Sequence, residues 1–214
     1  MDYPSIILYL LQGTGKAIQV FALTLLFSVP LGMLVAQLRM MKNPLIQLPV
    51  RLYLLVMRGT PLLLQLVFFM YFPPFVLGIS VDRFFAAILT FSLNYAAYFA
   101  EIFRGGIESI PVGQSEAAQV LGFSRWKTFR LIILPQVIKR ILPASANECM
   151  TLVKDTALAQ VIGVAELFRA SNNVMSREFS VIPIVIAGLF YLAMNGVVAS
   201  VFSRAEKKMS YYRS

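Results

Sequence analysis

Long apolar runs dominate the pattern along this chain. Five of them, at about 17–38, 50–72, 84–103, 132–153 and 181–202, approach the ~20 residues that a helix needs to cross ~30 Å of hydrocarbon. They predict an all-α, multi-pass membrane protein with five transmembrane helices, the fourth irregular. The short alternating segments of an outer-membrane barrel do not occur. Proline and glycine divide the runs: Pro30 and Gly32 interrupt the first, Gly59-Thr60-Pro61 lies inside the second, and Pro135 and Pro143 bracket the start of the fourth. In a bilayer the backbone groups freed at such breaks are re-satisfied by neighbouring helices. Kinked helices are the plainer expectation, a binding site the alternative.

The charges between the runs orient the chain. Arg39, Lys42 and Arg51 separate the first two runs, and Arg104, Arg125, Lys127, Arg130, Lys139 and Arg140 follow the third. Arg204, Lys207, Lys208 and Arg213 follow the fifth. The opposite side holds Lys16, Arg83, Lys154, Arg169 and Arg177. The positive-inside bias therefore predicts an outside N-terminus and a cytoplasmic C-terminus. The first residues lack a basic start and a small-residue cleavage site, so the first span is expected to stay attached.

Composition agrees and removes several chemistries. The chain is 58% hydrophobic and 14% charged, with mean hydropathy +0.74, against roughly 45–50% and 25% in soluble domains. Its +9 net charge lies beside apolar runs, which reads as topology and not as a nucleic-acid surface. A single cysteine, Cys149, excludes an intrachain disulfide and a thiolate metal cage. With no histidine, and aspartates only at positions 2, 82 and 155, an intramembrane protease or metalloenzyme lacks its usual parts. No catalytic residue and no metal site are expected.

Two runs carry polar groups at depth. Glu148 lies a little over two turns beyond Arg140 in a stretch without other charge. An ionisable group there is costly and a functional candidate by default: it can receive a substrate ammonium or guanidinium, or else serve as a structural ion pair or a protonated bridge between helices. Asn94 falls midway between Arg83 and Arg104, with Tyr98 and Glu101 on the same face at i+4 and i+7. Asn94 can bind a substrate carboxylate or amine, or only bridge helices. Glu101 and Arg104 suit an i,i+3 ion pair. Lys154 and Asp155 are adjacent and cannot face each other on a helix, so each, if buried, needs another partner.

The most polar long passage, "EAAQVLGFSRWKTFRLIILP" from Glu116 to Pro135, interrupts the apolar pattern on the cytoplasmic side. Ser115 is expected to cap a helix that starts at Glu116. Ala117 and Ala118 keep one face thin, Val120 and Leu121 add apolar contact, and Gly122 ends the helix at positive φ. Ser124 then starts a second helix whose Arg125, Trp126 and Lys127 suit the membrane boundary. Such a helix can fill a cleft in a soluble partner or rest on headgroups.

The ungapped order Glu116, Ala117, Ala118, Gly122, Ile132, Leu134, Pro135 resembles the signature loop of permease subunits in binding-protein-dependent ATP-binding-cassette importers. "RGTPLLLQ" at 58–65, "AEIFRGGIESIPVGQSEAA" at 100–118, "KDTAL" at 154–158 and "VIGVAELFRAS" at 161–171 look like the polar amino acid branch, with Ala157 where many relatives have serine. The resemblance implies the type I, MetI-like permease fold, one permease domain over 1–214 and a coupling helix in the loop at about 109–127. Glu116, Ala117, Ala118 and Gly122 would dock on a cytoplasmic ATPase. The implied partners are two ATPase subunits, an extracytoplasmic binding protein, a second permease (identical or a sister chain) and membrane lipid, in the inner membrane of a prokaryote. No phosphate-binding loop is present, so ATP and Mg belong to the ATPase and this chain binds no cofactor of its own. Related permeases place an acidic residue at the position of Glu148 when they take cationic amino acids, so a basic substrate held by Glu148, Asn94 and Tyr98 is expected. The alternative is glutamine or cystine. Lys154 and Asp155 would form an external gate across a two-fold axis. A scaffold that only recruits a cytoplasmic partner is the remaining class.

Overall fold

The computed structural model describes residues 3–209, with no strand among them. The helices are α1 (Tyr3–Met40), α2 (Pro44–Gly59), α3 (Leu62–Phe72), α4 (Arg83–Glu108), α5 (Val112–Val120), α6 (Arg125–Thr128), α7 (Leu134–Asp155), α8 (Leu167–Glu178) and α9 (Ile182–Met209). π-helical turns at Pro73–Leu77 and Phe129–Ile133 and a 3-10 segment at Thr156–Ile162 complete the path.

Among the described residues α1, α4 and α9 are long and apolar enough to cross a membrane, and α2 with α3 makes a fourth span if the bent pair is one crossing. The fourth of the five expected spans, α7, has the length but not the apolarity. Its 22 residues include Lys139, Arg140, Glu148, Lys154 and Asp155, so it is too charged to face lipid on all sides.

Two breaks differ from expectation. Pro30 and Gly32 do not interrupt the first helix, which runs unbroken for 38 residues with Pro30 inside it. Pro30 is exposed, so its ring and its missing donor disturb no packed contact. Gly32 instead allows close approach to α4, because a Cβ there would lie 2.8 Å from Phe99 Cβ and 3.1 Å from the Ala96 carbonyl oxygen. The second span is not one helix: α2 and α3 meet at 111° across Thr60 and Pro61. Pro61 supplies no amide to continue α2, and the residue before it is driven to extended backbone, φ −118° and ψ 149°.

The core forms around α4. Two thirds of its apolar window is buried inside the chain, against 28% for α1 and 6% for α9. Phe91, Tyr95 and Phe99 are buried along it, with α1, α2, α3 and α7 packed around them. Gly106 of α4 lets Ile141 of α7 press onto its backbone. A second cluster seats α8 between α1 and α9, through Leu10, Ala17, Leu167, Ala170, Val174 and Ala187. There Gly13 leaves room for the Leu167 Cα, 2.9 Å from where a Cβ would stand. Valines and leucines along α9 remain exposed, as they do on a surface that meets lipid or another membrane chain.

Candidate functional site

The polar loop folds from its own local chemistry. Pro111, at φ −57° and ψ 136°, leads into α5, which begins at Val112 and not at Glu116. Ser115 therefore lies inside the first turns of α5 and is not its cap. The helix ends as expected: Gly122 has φ 76°, its N–H donates to the Gln119 carbonyl (2.9 Å), and Phe123 N–H donates to the Ala118 carbonyl (3.0 Å). This pair of bonds is the Schellman arrangement that glycine favours. Ser124 accepts from Lys127 N–H and starts α6.

Glu116 and Ala117 face outward with Val120 and Leu121, whereas Ala118 is 1% exposed and faces the body of the loop. The small-residue surface expected from the alanine pair is thus Ala117 alone, flanked by larger apolar groups. Behind α5 lies a cavity of about 460 Å³ lined by Ile107, Ile110, Ser115, Gln119, Arg125 and Phe129. Pro135 sits in the first turn of α7, directly after the π turn at Phe129–Ile133.

The second polar centre lies where α2 breaks. Asn94, 4% exposed on α4, donates both amide hydrogens, one to the Met57 carbonyl and one to Gln65 Oε1, each at 2.9 Å. Gln65 Nε2 in turn donates to the Met57 carbonyl (3.0 Å) and Thr60 Oγ1 (2.8 Å), and Thr60 Oγ1 donates to the Val56 carbonyl (2.8 Å). The carbonyls that α2 leaves unpaired at its end thus find partners in side chains. Of the two roles open to Asn94, the structure supplies the bridge, and no amide hydrogen is left for a substrate carboxylate.

Beside this knot, Arg58 stacks its guanidinium over the Tyr98 ring at 5.4 Å and stands 4.0 Å from Glu101. Glu101 pairs with Arg104 at 2.6 Å, the expected i,i+3 contact, while Arg104 also reaches Glu108 at 2.5 Å and Arg39 approaches Glu101 at 3.9 Å. Three guanidiniums surround one carboxylate, and Arg58 is the most exposed of them, with 43% of its side chain accessible.

Facing α4, α7 presents Glu148 and Asp155 seven residues apart, two turns along one side. Asp155 accepts a hydrogen bond of 2.8 Å from the Tyr95 hydroxyl. Its partner is therefore within the chain, on α4, and the exchange across a two-fold expected for it is not required. Lys154 points away and is exposed. Glu148 is half-buried, within Coulombic reach of Asp155 and Arg58, and among the described residues has no ion pair within 4.0 Å. Arg140, its nearest cation upstream in α7, donates to the Ser109 carbonyl instead. The structural ion pair that competed for Glu148 is thus not formed. Tyr98 lies 6.3 Å from Tyr95 between ring centroids, completing an aromatic wall.

Sequence reading passed over Tyr95, Arg58, Gln65 and Glu166. Arg58 and Gln65 had a signal, a cation and an amide flanking the helix break inside an apolar run. Tyr95 had none, since its partner is 60 residues away. Among the described residues no cluster of three His, Cys, Asp or Glu side chains could hold a metal ion.

A family model described as "Binding-protein-dependent transport system inner membrane component" matches residues 28–211. A probable amino-acid ABC transporter permease, YckA of Bacillus subtilis, is 38% identical over 95% of this chain and 90% of its own. A putative glutamine transport system permease, GlnP of Rickettsia felis, is 33% identical over 97% and 95%. Among solved structures, an amino acid ABC transporter with histidines matches with TM-score 0.86 at 32% identity, over 97% of this chain and 99% of that one. An inward-facing MetNI methionine ABC transporter shares the fold at TM-score 0.78 and 18% identity, over 98% and 99%.

Proposed function

The chain belongs to the family of inner-membrane components of binding-protein-dependent transport systems, and from that premise we propose that it carries basic amino acids across the inner membrane of a bacterium. It is an amino-acid ABC transporter permease, a pathway subunit and not an enzyme, and ATP is hydrolysed by a separate subunit.

The substrate reading rests on charge matching. Glu148 and Asp155 offer two negative charges and Arg58 one positive charge around the Tyr95–Tyr98 wall. An arginine, lysine or protonated histidine has the complementary set: two cationic ends and one carboxylate. Glu148 takes the cationic side chain, Asp155 the α-amino group and Arg58 the α-carboxylate, each by a charge-assisted hydrogen bond. Tyr98 stacks on the side chain. Asn94 acts through Arg58, by fixing the end of α2 that carries it. A zwitterion without side-chain charge leaves one carboxylate unmatched, at a desolvation cost. The transporter crystallised with histidines, 32% identical to this chain, favours the same class.

Glutamine is the second reading. It is favoured by the GlnP relative and by the Tyr95 hydroxyl, which partly satisfies Asp155 and leaves Glu148 for the α-amino group. Uptake by the complex reconstituted with its ATPase and binding protein separates the two. Arginine uptake is expected to exceed glutamine uptake, and Glu148→Gln to lower arginine uptake by roughly 10- to 100-fold, the loss of one charge-assisted bond. Arginine uptake unchanged in Glu148→Gln refutes the assignment.

In this reading α7 is the fourth of five spans, with Glu148 and Asp155 turned toward the pathway, the N-terminus outside and the C-terminus in the cytoplasm. Residues 1–214 form one permease domain. α5 docks in a groove of the ATPase through Glu116, Ala117 and Val120, while Ala118 and Gly122 hold its shape. Two permeases share one complex, with Lys154 of each turned toward the other as the external gate.

A further inference from the structure

Glu166 is a fully buried carboxylate that the substrate reading does not use, 0% exposed. It caps α8 twice, accepting from the Phe168 and Arg169 N–H groups at 2.7 Å each, and accepts the Tyr191 hydroxyl of α9 at 2.9 Å. The Thr156 side chain lies beside that same hydroxyl. Thr156 follows Asp155 directly, is 1% exposed, and donates to the Val153 carbonyl at 2.8 Å. A buried hydrogen-bonded set therefore joins the start of α8 to α9 through Glu166 and Tyr191, with Thr156 beside it at the end of α7, where Asp155 meets Tyr95. Apolar packing closes the flanks of α8, with Gly13 of α1 against the Leu167 backbone. Arg169 and Asn172 further fasten α8 to the 3-10 segment through Gln160, at 3.2 and 3.0 Å.

A buried carboxylate without these three donors would be costly, so α8 and α9 cannot separate by small steps. They keep or lose the set together. We propose that Glu166 and Tyr191 are positioning residues that tie α8 rigidly to the substrate end of α7, so that a load on α8 moves Asp155. The source of that load, the extracytoplasmic binding protein, rests on the importer reading above; the tie itself does not.

The test uses the full transporter in lipid nanodiscs with Tyr191→Phe, which removes one donor and keeps the ring. Thr156→Val, which spares the α8 cap, carries the same two readouts if the first variant folds poorly. Amide hydrogen exchange is expected to quicken about tenfold along residues 156–163 as well as at Phe168 and Arg169, tenfold being about 1.4 kcal/mol. Stimulation of ATP hydrolysis by binding protein is expected to fall by a similar factor. Faster exchange confined to Phe168 and Arg169 overturns the tie. Exchange that spreads to 156–163 with stimulation unchanged overturns the coupling. A wild-type complex that the binding protein does not stimulate refutes the importer reading, while the exchange pattern still decides the tie.

Discussion

Gly105 and Gly106 stand side by side in α4 under opposite constraints. A Cβ on Gly105 meets nothing within 4 Å, whereas one on Gly106 collides with the Ile141 side chain of α7. Gly106→Ala must displace the Ile141 side chain at the contact between α4 and α7, the two helices that bring Tyr95 to Asp155. It is expected to destabilise the purified permease by about 1–3 kcal/mol and to weaken substrate binding. Gly105→Ala should be neutral or slightly stabilising, since alanine is the better helix former. Thermal melts of the two variants, one position apart, check both statements. At the same scale, Glu148 is informative because among the described residues no cation lies within 4.0 Å of it. Asp155, Glu101 and Glu166 all have a partner within 3 Å.

At the scale of elements, the 111° bend between α2 and α3 is held by amides and not by apolar packing alone. Asn94→Leu leaves Gln65 Oε1 without its donor and the Met57 carbonyl with one fewer, and Gln65→Leu removes the donor shared by the Met57 carbonyl and Thr60 Oγ1. Each single change is expected to cost about 1–3 kcal/mol, and the double variant less than the sum, because the two residues share one network. Denaturation of all three variants completes the cycle; strict additivity would show that the amides act separately. Sequence indicated this bend as a place, through Gly59-Thr60-Pro61, but not as a right-angled junction. Whether freed carbonyls close up or splay depends on Asn94, 37 residues from Met57. The loop at α5 was more legible because Gly122 and Ser124 act on residues within five positions of themselves. Even there Pro111 overrode Ser115 as the start of the helix. The long apolar runs marked α1, α4 and α9, although α1 begins at Tyr3, well before the run at about 17–38. α7 was recognisable by length, although Glu148 and Asp155 lie on its partly buried side while Arg140 and Lys154 are exposed.

For the whole molecule, the apolar side of α9 and Lys154 are exposed, and on the proposed pairing of two permeases Lys154 stands at the shared outer gate. Lys154→Ala is expected to raise ATP hydrolysis without binding protein several-fold in the assembled complex, by freeing the outer gate. An unchanged resting rate and unchanged stimulation would count against a gate at that position. One further consequence follows from α1. At 1.5 Å per residue its 38 residues measure about 57 Å, well beyond the thickness of the hydrocarbon layer. One end is wedged under α8 through Gly13, and the other places Arg39 beside Glu101. A rod that outruns the layer must lean across it or stand clear of one face, so any change in its slant shifts both anchorages at once.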